Sequence, residues 1–346
     1  MITIGLDVGN GSVGFAVSGG DGKMTTTTYP SVYASYAPSE SVRIATVRDH
    51  QPTIYLFDKR EYVLGYEDVL TSGDVPISAY DRDERIHRRE FQTLTKLALL
   101  DAATKDGSTG VVEVKLQLGV PVEDYRKEKV DLIKKWFTEP IVGAKNGEQV
   151  VVMVKHVDVI SQPTAVLMDQ YLDDEGFIRD ERLEQARVLV IDSGSGTLDM
   201  TEFDHMRITQ QFSEPIGIND VYDRIMRGIQ QLSPKTRVHV YDLEHQLRSQ
   251  DTKSEITYTF GRFTVPVTEL HDRAMNEIWE RLIGSITSRF PDRLRFDRIF
   301  VAGGTADAFR FYFQSWDEAA KLVSEPQLAV ARGLYKYAVL QVATGA

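Results

Sequence analysis

The stretch Gly9-Asn10-Gly11-Ser12-Val13-Gly14 near the start of the chain has the G-x-G-x-x-G spacing of dinucleotide-binding loops. That spacing works only where the glycines join a strand to a helix, because the pyrophosphate then sits on the helix N-terminus. Here apolar residues alternate on both sides of the glycines, which predicts a strand, a tight turn and a second strand. No acidic residue follows where a ribose hydroxyl would require one. The pattern therefore does not indicate a dinucleotide site.

A turn rich in Gly, Asn and Ser has another use, because its backbone N–H groups and a hydroxyl converge on a concavity that suits phosphate. Asp7 ends the first strand beside this turn and is a candidate for holding a divalent cation. A single copy is most often an ordinary hairpin. The arrangement recurs where the apolar strand 188–191 ends in Asp192 and continues into the segment SGSGT. Two copies, each at the head of one half of the chain, predict a duplicated phosphate clamp.

Composition excludes several classes of site. The chain has 346 residues, 42% of them hydrophobic and 26% charged, which is typical of a globular protein with two domains. It has no cysteine, which excludes disulfides and cysteine-based zinc sites, and its seven histidines are scattered singly. A net charge of -11 argues against direct nucleic-acid binding. The lack of a long apolar run or a secretory start predicts a cytoplasmic protein without membrane contact.

Four arginines alternate with acidic side chains in the first half, at Arg82, Arg85, Arg88 and Arg89. Such alternation is typical of a solvated helix face, and the apolar spacing that follows predicts a helix over about 83–104.

The rest of the chain alternates predicted strands and helices. Strands are expected at 111–121, 149–160, 188–191, 198–203 and 297–302, and helices at 122–137, 162–172, 217–232, 267–290 and 326–343. A polar segment at 173–186 is interpreted as a surface connection between the two halves. In the final helix, Gly333 predicts close approach to another backbone. The pattern predicts an α/β protein.

Five segments, in this order, resemble the actin, sugar-kinase and heat-shock-chaperone superfamily of two-lobed ATPases: GLDVGNGSVG, VISQPTAVLMD, VIDSGSGTLD, IFVAGGTADAF and PQLAVARGLYKYA. They are similar to its two phosphate loops, two connecting helices and adenosine loop. Within the superfamily, LGVPVEDYRKEKVDLIKKWF and AVARGLYKYA are most similar to actin-like proteins of the ParM/StbA plasmid-segregation type. The resemblance implies duplicated ribonuclease-H-like domains with a nucleotide cleft between the lobes. Residues 1–165 with 326–346 would form one domain and 166–325 the other.

The resemblance also implies a role for each residue of the two turns. Asp7 and Asp192 are expected to position Mg²⁺ through water molecules, and Gln162 matches the family position that orients the attacking water. Glu244 and Arg248 are candidates for the far side of the base. The residues expected to hold the triphosphate are Gly9, Asn10, Gly11 and Ser12 on one side and Gly194, Ser195, Gly196 and Thr197 on the other, with Gly303, Gly304 and Thr305 bordering the adenosine.

The function implied by the resemblance is a slow, Mg²⁺-dependent hydrolase of ATP or GTP that assembles with copies of itself into filaments. Plasmid or DNA segregation would then require a DNA-binding adaptor protein. Two alternatives stay open: a sugar- or acetate-type kinase of the same superfamily and a cellular cytoskeletal role. A kinase requires a carboxylate base beside an acceptor hydroxyl, and the first half shows no local motif of that kind. A membrane-associated homologue would carry an amphipathic anchoring helix, which neither terminus shows.

Overall fold

The computed structural model describes residues 1–19, 22–36, 51–72, 76–78, 84–234, 238–250 and 255–344. These residues form two β-sheets, a separate two-stranded hairpin and the helices that pack on them. In chain order the strands are β1 (Ile2–Val8), β2 (Ser12–Ser18), β3 (Met24–Pro30), β4 (Val32–Ser35), β5 (Tyr55–Phe57), β6 (Arg60–Leu64), β7 (Ile77–Ser78), β8 (Gly110–Val120), β9 (Ile141–Lys145), β10 (Glu148–Ser161), β11 (Arg187–Ser193), β12 (Leu198–Asp204), β13 (Arg207–Glu214), β14 (Thr257–Phe260), β15 (Phe263–Pro266), β16 (Arg298–Ala302) and β17 (Ala320–Leu322).

Ten α-helices occur in the described ranges, and each predicted helix corresponds to one of them. They are α1 (Gly65–Ser72), α2 (Arg89–Ala103), α3 (Lys127–Lys135), α4 (Gln162–Tyr171), α5 (Ile218–Leu232), α6 (Val240–Arg248), α7 (Thr268–Arg289), α8 (Gly304–Ala308), α9 (Arg310–Trp316) and α10 (Ala329–Thr344). In the part of the chain that the structure describes, no helix is long and apolar enough to cross a membrane.

The first turn lies in a hairpin, as the alternating apolar residues predict. Strands β1 and β2 pair antiparallel, with Asp7 opposite Gly14. The Gly9 N–H donates to the Ser12 carbonyl oxygen at 2.9 Å and closes the turn. The G-x-G-x-x-G spacing therefore joins two strands.

The two sheets repeat one topology. The first runs β3-β2-β1-β8-β10-β9-β5-β6-β4-β7, and the second runs β13-β12-β11-β16-β17. In each, an antiparallel meander of three strands is followed by two parallel neighbours: β8 and β10 in the first sheet, β16 and β17 in the second. The duplication predicted from two short turns is thus a duplication of a five-stranded core. We call the part around the ten-stranded sheet the first lobe and the part around the five-stranded sheet the second lobe.

Each lobe has its own apolar core. In the first, α2 buries the predicted stripe that includes Phe91, Leu94 and Leu97 against the sheet. In the second, α7 buries Ile278 and Leu282 among residues of α5 and the sheet. The α/β class expected from the sequence is confirmed.

Helices α4 and α10 lie together between the two sheets. Helix α4 follows β10 of the first sheet but packs on β11 and β12 of the second, whereas α10 follows the second sheet and packs on β1, β2 and β8. The two helices approach so closely that a Cβ at Gly333 would overlap the Ala165 carbonyl oxygen. The predicted close approach at Gly333 is therefore confirmed. The division of the chain at residues 165 and 326 stays a prediction.

A buried ion cluster joins α4 to α10. The Asp169 carboxylate accepts from Arg332 Nε at 3.1 Å and Nη2 at 2.8 Å, and from Lys336 Nζ at 2.9 Å. All three side chains are buried. Because a buried charge is tolerated only when it is paired, the cluster fixes how the two helices sit against each other.

The helix expected from about residue 83 begins later, at Arg89. A separate short 3₁₀ helix, Arg85–His87, precedes it, and Arg88 between them has an extended backbone. This change of direction turns the Arg85 side chain inward, where it is 4% exposed. The interpretation of this segment as a solvated face is therefore wrong for Arg85. It is correct for Arg88 and Arg89, which are exposed, while residue 82 lies outside the described residues.

Candidate functional site

The turns that follow β1 and β11 face each other between the lobes. A cavity of about 40 Å³ lies between them. Its lining includes every residue predicted for the two turns, the cation and the attacking water, together with two of the three predicted for the adenosine: Asp7, Gly9, Asn10, Gly11, Ser12, Gln162, Asp192, Gly194, Ser195, Gly196, Thr197, Gly303 and Gly304. Residues drawn from four separate segments of the sequence thus meet at one place.

Sheet topology explains why Asp7 meets Gln162. Strands β1 and β10 run parallel on either side of β8, so their carboxyl ends reach the same edge of the sheet. Asp7 is near the end of β1, and Gln162 begins α4 directly after β10. The Gln162 Nε2 donates to Asp7 Oδ1 at 2.7 Å. The Gln162 carboxamide is therefore held against the Asp7 carboxylate in the lining of the cavity.

The second turn has the same internal hydrogen bond as the first. The Gly194 N–H donates to the Thr197 carbonyl oxygen at 2.8 Å. Behind the turn, Thr305 is fully buried and its Oγ1 donates to the Gly194 carbonyl oxygen at 2.6 Å. Thr305 therefore supports the turn from behind and does not border the cavity. Gly303 beside it has a φ of 93°, and a Cβ there would lie 2.5 Å from Asp192 Oδ1, so glycine is required on both counts.

Three buried carboxyl groups lie at or next to the cavity: Asp7 and Asp192 line it, and Asp199 contacts Thr197 of its lining. Burial raises the pKa of Asp7 to about 6, against the opposing effects of the Gln162 hydrogen bond and the Arg85 charge. Burial, with the nearby Asp199 and Asp7, raises the pKa of Asp192 well above its usual value. Burial also raises the pKa of Asp199 to about 6, although Thr197 Oγ1 donates to it at 3.0 Å. Such a cluster of buried carboxyl groups favours a bound cation.

The donor set fits Mg²⁺ only in part. Asp7 and Asp192 supply the hard oxygen ligands that Mg²⁺ prefers. Among the described residues, however, no group of three acidic, histidine or cysteine side chains could hold a metal by itself. A Mg²⁺ ion here would take its remaining ligands from water and phosphate, which is the usual coordination of this ion at nucleotide sites.

A second cavity of about 200 Å³ adjoins the first and shares Gly11, Ser12 and Gln327 with it. Glu244 and Arg248 of α6 line it and form an ion pair at 2.8 Å. Burial raises the pKa of the Glu244 carboxyl group. The two candidates for the far side of the base therefore lie beside the first turn.

Two side-chain contacts beside this cavity join α1 of the first lobe to α6 of the second lobe. The Tyr66 hydroxyl of α1 donates to Asp242 Oδ1 of α6 at 3.2 Å, and the Tyr66 ring lies 4.8 Å from that of His245.

Sequence reasoning missed Asp199, Arg85 and Gln327. Asp199 carried a signal, because it is an acidic residue between the apolar Leu198 and Met200 of strand β12. Arg85 was hidden by the alternating charges around it, and nothing in the sequence around Gln327 marks it as a cavity residue.

Residues 5–164 match the family model described as the actin-like proteins N-terminal domain. A search of curated proteins finds no match.

Solved structures resemble nearly the whole chain. The archaeal actin homologue Ta0583 in complex with ADP has a TM-score of 0.72 at 21% identity, covering 98% of this chain and 99% of that one. The psk41 ParM protein has a TM-score of 0.71 at 18% identity, with coverages of 99% and 98%. A 15-stranded ParM filament from Clostridium botulinum has a TM-score of 0.72 at 16% identity, with coverages of 97% and 98%.

The duplicated five-stranded cores and the two facing turns agree with these matches. The α/β fold is two-lobed, as the resemblance implied. Residues 5–164 thus match the actin-like N-terminal domain, and the chain as a whole has the fold of these actin-like structures.

Proposed function

We propose that this protein is a nucleotide-dependent, filament-forming ATPase of the actin-like type. The observation that carries the proposal is the single cavity bordered by both phosphate-type turns, by Asp7 and Asp192, and by Gln162. A turn on each lobe suits a ligand whose phosphates bridge the two. An ADP complex of one structural relative and a filament of another support nucleotide binding and self-assembly.

Nucleotide entry requires the lobes to separate. The cavity of about 40 Å³ is far smaller than the roughly 300–1,000 Å³ of typical ligand pockets. At Gly11, a Cβ would overlap the Ser195 side chain of the opposite turn. The triphosphate therefore replaces direct contact between the turns. We propose that residues 1–165 with 326–346 move as one unit against 166–325.

Within the cleft each group has a distinct task. Backbone N–H groups of the two turns hold the phosphate oxygens, and Asp7 and Asp192 position Mg²⁺, which would neutralise charge on the phosphates. Gln162 orients the attacking water. Because a carboxamide cannot accept a proton as a carboxylate does, its contribution is positioning, and turnover is expected to be slow.

The experiment is light scattering at 90° on the purified protein with Mg²⁺ and ATP, GTP, a non-hydrolysable triphosphate or ADP, with phosphate release followed in parallel. We expect a rise that persists with the analogue and decays with the hydrolysable triphosphate. The Asp192→Ala variant should show no rise, because the cation site is lost. Comparing ATP with GTP decides the base preference.

Flat scattering at every protein concentration would contradict filament formation. Phosphate transfer only on addition of a sugar or acetate would then favour the kinase alternative. Plasmid segregation is the finer part of the proposal, and it predicts that a DNA-binding adaptor encoded with this protein binds the filament. The net charge of -11 gives no support for direct DNA binding.

A further inference from the structure

Arg85 is a buried arginine at the edge of the cavity between the two turns. Its Nε donates to Asp124 Oδ2 at 3.1 Å, and its Nη1 donates to the Val8 carbonyl oxygen at 3.3 Å. Nη2 is buried and finds no hydrogen-bond partner among the described residues. A buried charged donor without a partner is costly, so its retention beside a cavity points to a ligand.

Asp124 pairs with Arg85 directly, and the Arg85 charge also opposes the rise in the pKa of Asp7 and of Asp199. Asp124 also accepts from Lys129 Nζ at 2.6 Å, so one carboxylate serves two cations. The Phe91 ring lies 4.9 Å from the guanidinium carbon and packs against its face. The side chain is therefore fixed by Asp124, Val8 and Phe91, while the N–H groups of Nη2 remain available.

We propose that Arg85 is a catalytic residue whose Nη2 binds the terminal phosphate of the nucleoside triphosphate and stabilises the charge on its oxygens during hydrolysis. This inference rests on the proposed function. A guanidinium group matches the geometry of phosphate oxygens, and its charge persists at all relevant pH values. Asp124 is the positioning residue, since it holds Nε and so directs Nη2. The alternating charges around Arg85 in the sequence conceal this role.

The reaction itself balances without a further reagent. The oxygen of a water molecule bonds to the terminal phosphorus while the bond from that phosphorus to the bridging oxygen breaks. The nucleoside diphosphate leaves with the bonding electrons. One proton of the water stays on the attacking oxygen, and the other passes to another oxygen of the released phosphate. Arg85 keeps its protons throughout and acts by charge and hydrogen bonding alone.

The test compares Arg85→Gln and Arg85→Lys with the matched control Arg89→Gln. Arg89 is four residues away, and its side chain is 74% exposed and paired with Asp58. Calorimetry measures the dissociation constants of ADP, a non-hydrolysable triphosphate, and ADP with aluminium fluoride, which mimics the transferring phosphoryl group. Phosphate release is measured at saturating ATP.

We expect Arg85→Gln to leave ADP binding unchanged and to weaken binding of the triphosphate analogue about tenfold. The loss should be larger for the aluminium fluoride complex, and phosphate release should slow by about 10²–10³-fold. Arg85→Lys should be intermediate. Asp124→Asn should shift the same constants in the same direction by less, and Arg89→Gln should match the wild type.

Equal weakening of ADP and triphosphate binding in Arg85→Gln would overturn the proposal, because it would make Arg85 only a counter-ion for the buried aspartates. If Arg85→Gln does not fold, the same constants are measured on Arg85→Lys, which keeps the positive charge but lacks the guanidinium group. Wild-type constants in that variant would also overturn the proposal. If the wild type binds no nucleotide, the proposed function fails as well. If it binds nucleotide and the Arg85 variants match it, only the role of Arg85 fails.

Discussion

At the residue scale, the three aspartates around the cavity stand out because they are buried at a cost to stability. A raised pKa means that the folded protein binds the proton more tightly than the unfolded chain does. Folding stability from these groups is therefore present below pH 4 and is lost as the pH rises through about 6, the pKa of Asp7 and Asp199. Near neutral pH the folded protein carries unfavourable negative charge, which a bound Mg²⁺ would compensate.

The Asp192→Asn variant tests this conflict between stability and function. We expect it to melt several degrees higher than the wild type at pH 7.5 without ligands, because burial and the neighbouring aspartates oppose ionisation of the Asp192 carboxyl group, and an amide has no such cost. In a chain of this length, each kcal/mol corresponds to roughly 2 °C. Adding Mg²⁺ and ATP should raise the melting temperature of the wild type and leave that of the variant unchanged.

Asp58→Asn is the matched control, because Asp58 is exposed and its ion pair is with an exposed arginine. Its melting temperature should stay close to that of the wild type. A lower melting temperature for Asp192→Asn at pH 7.5 would show that the Asp192 charge is already compensated in the protein.

The site was predictable where its chemistry is local. Glycine, serine and asparagine in a tight turn after Asp7 or Asp192 carry their phosphate-binding geometry in consecutive residues. The position of Gln162 came from the family resemblance alone. Arg85 could not be found, because its burial depends on an extended residue between two helical segments and on Asp124, 39 positions along the chain.

At the scale of elements, the packing of α4 on α10 depends on one glycine. Substituting Gly333→Ala should lower the stability by more than 2 kcal/mol or separate the two helices, because the new Cβ would overlap the Ala165 backbone. Urea denaturation followed by circular dichroism measures the change.

Gly284→Ala is the control, and we expect it to change the stability in the opposite direction. Gly284 lies inside α7, and a Cβ added there would meet no atom within 4 Å. This substitution should stabilise the protein by about 1 kcal/mol, since alanine favours helix more than glycine does. Equal effects at the two positions would contradict the close packing of α4 and α10.

Element types were easier to predict than their ends. The apolar spacing of α2 continues back past Arg89, so the sequence did not reveal the break at Arg88. Likewise the helix expected over 122–137 divides into a 3₁₀ helix, Val122–Asp124, and α3. A cavity residue, Arg85 or Pro121, lies a few positions before each break, and tertiary contacts there override helical periodicity.

At the scale of the whole molecule, hydrolysis and assembly should be separable. We expect Gln162→Ala to slow phosphate release by about 10²-fold, because the attacking water loses its orienting group. Scattering induced by ATP should still rise and then persist, as it does with a non-hydrolysable analogue. Filaments of the variant that disassemble as fast as those of the wild type would show that hydrolysis does not control their lifetime.

Helix α10 follows the second sheet but packs on the first, and this has a consequence for protein synthesis. Strand β8 is complete at residue 120. Helix α10, which packs on β1, β2 and β8, begins 209 residues later, at residue 329. Ribosomes add about 5–20 residues per second, so this interval lasts roughly 10–40 s. Throughout it the sheet face that carries Gly5, Gly14 and Gly119 lacks the helix that packs on it in the finished protein, so the packing of the first lobe can be completed only at the end of synthesis.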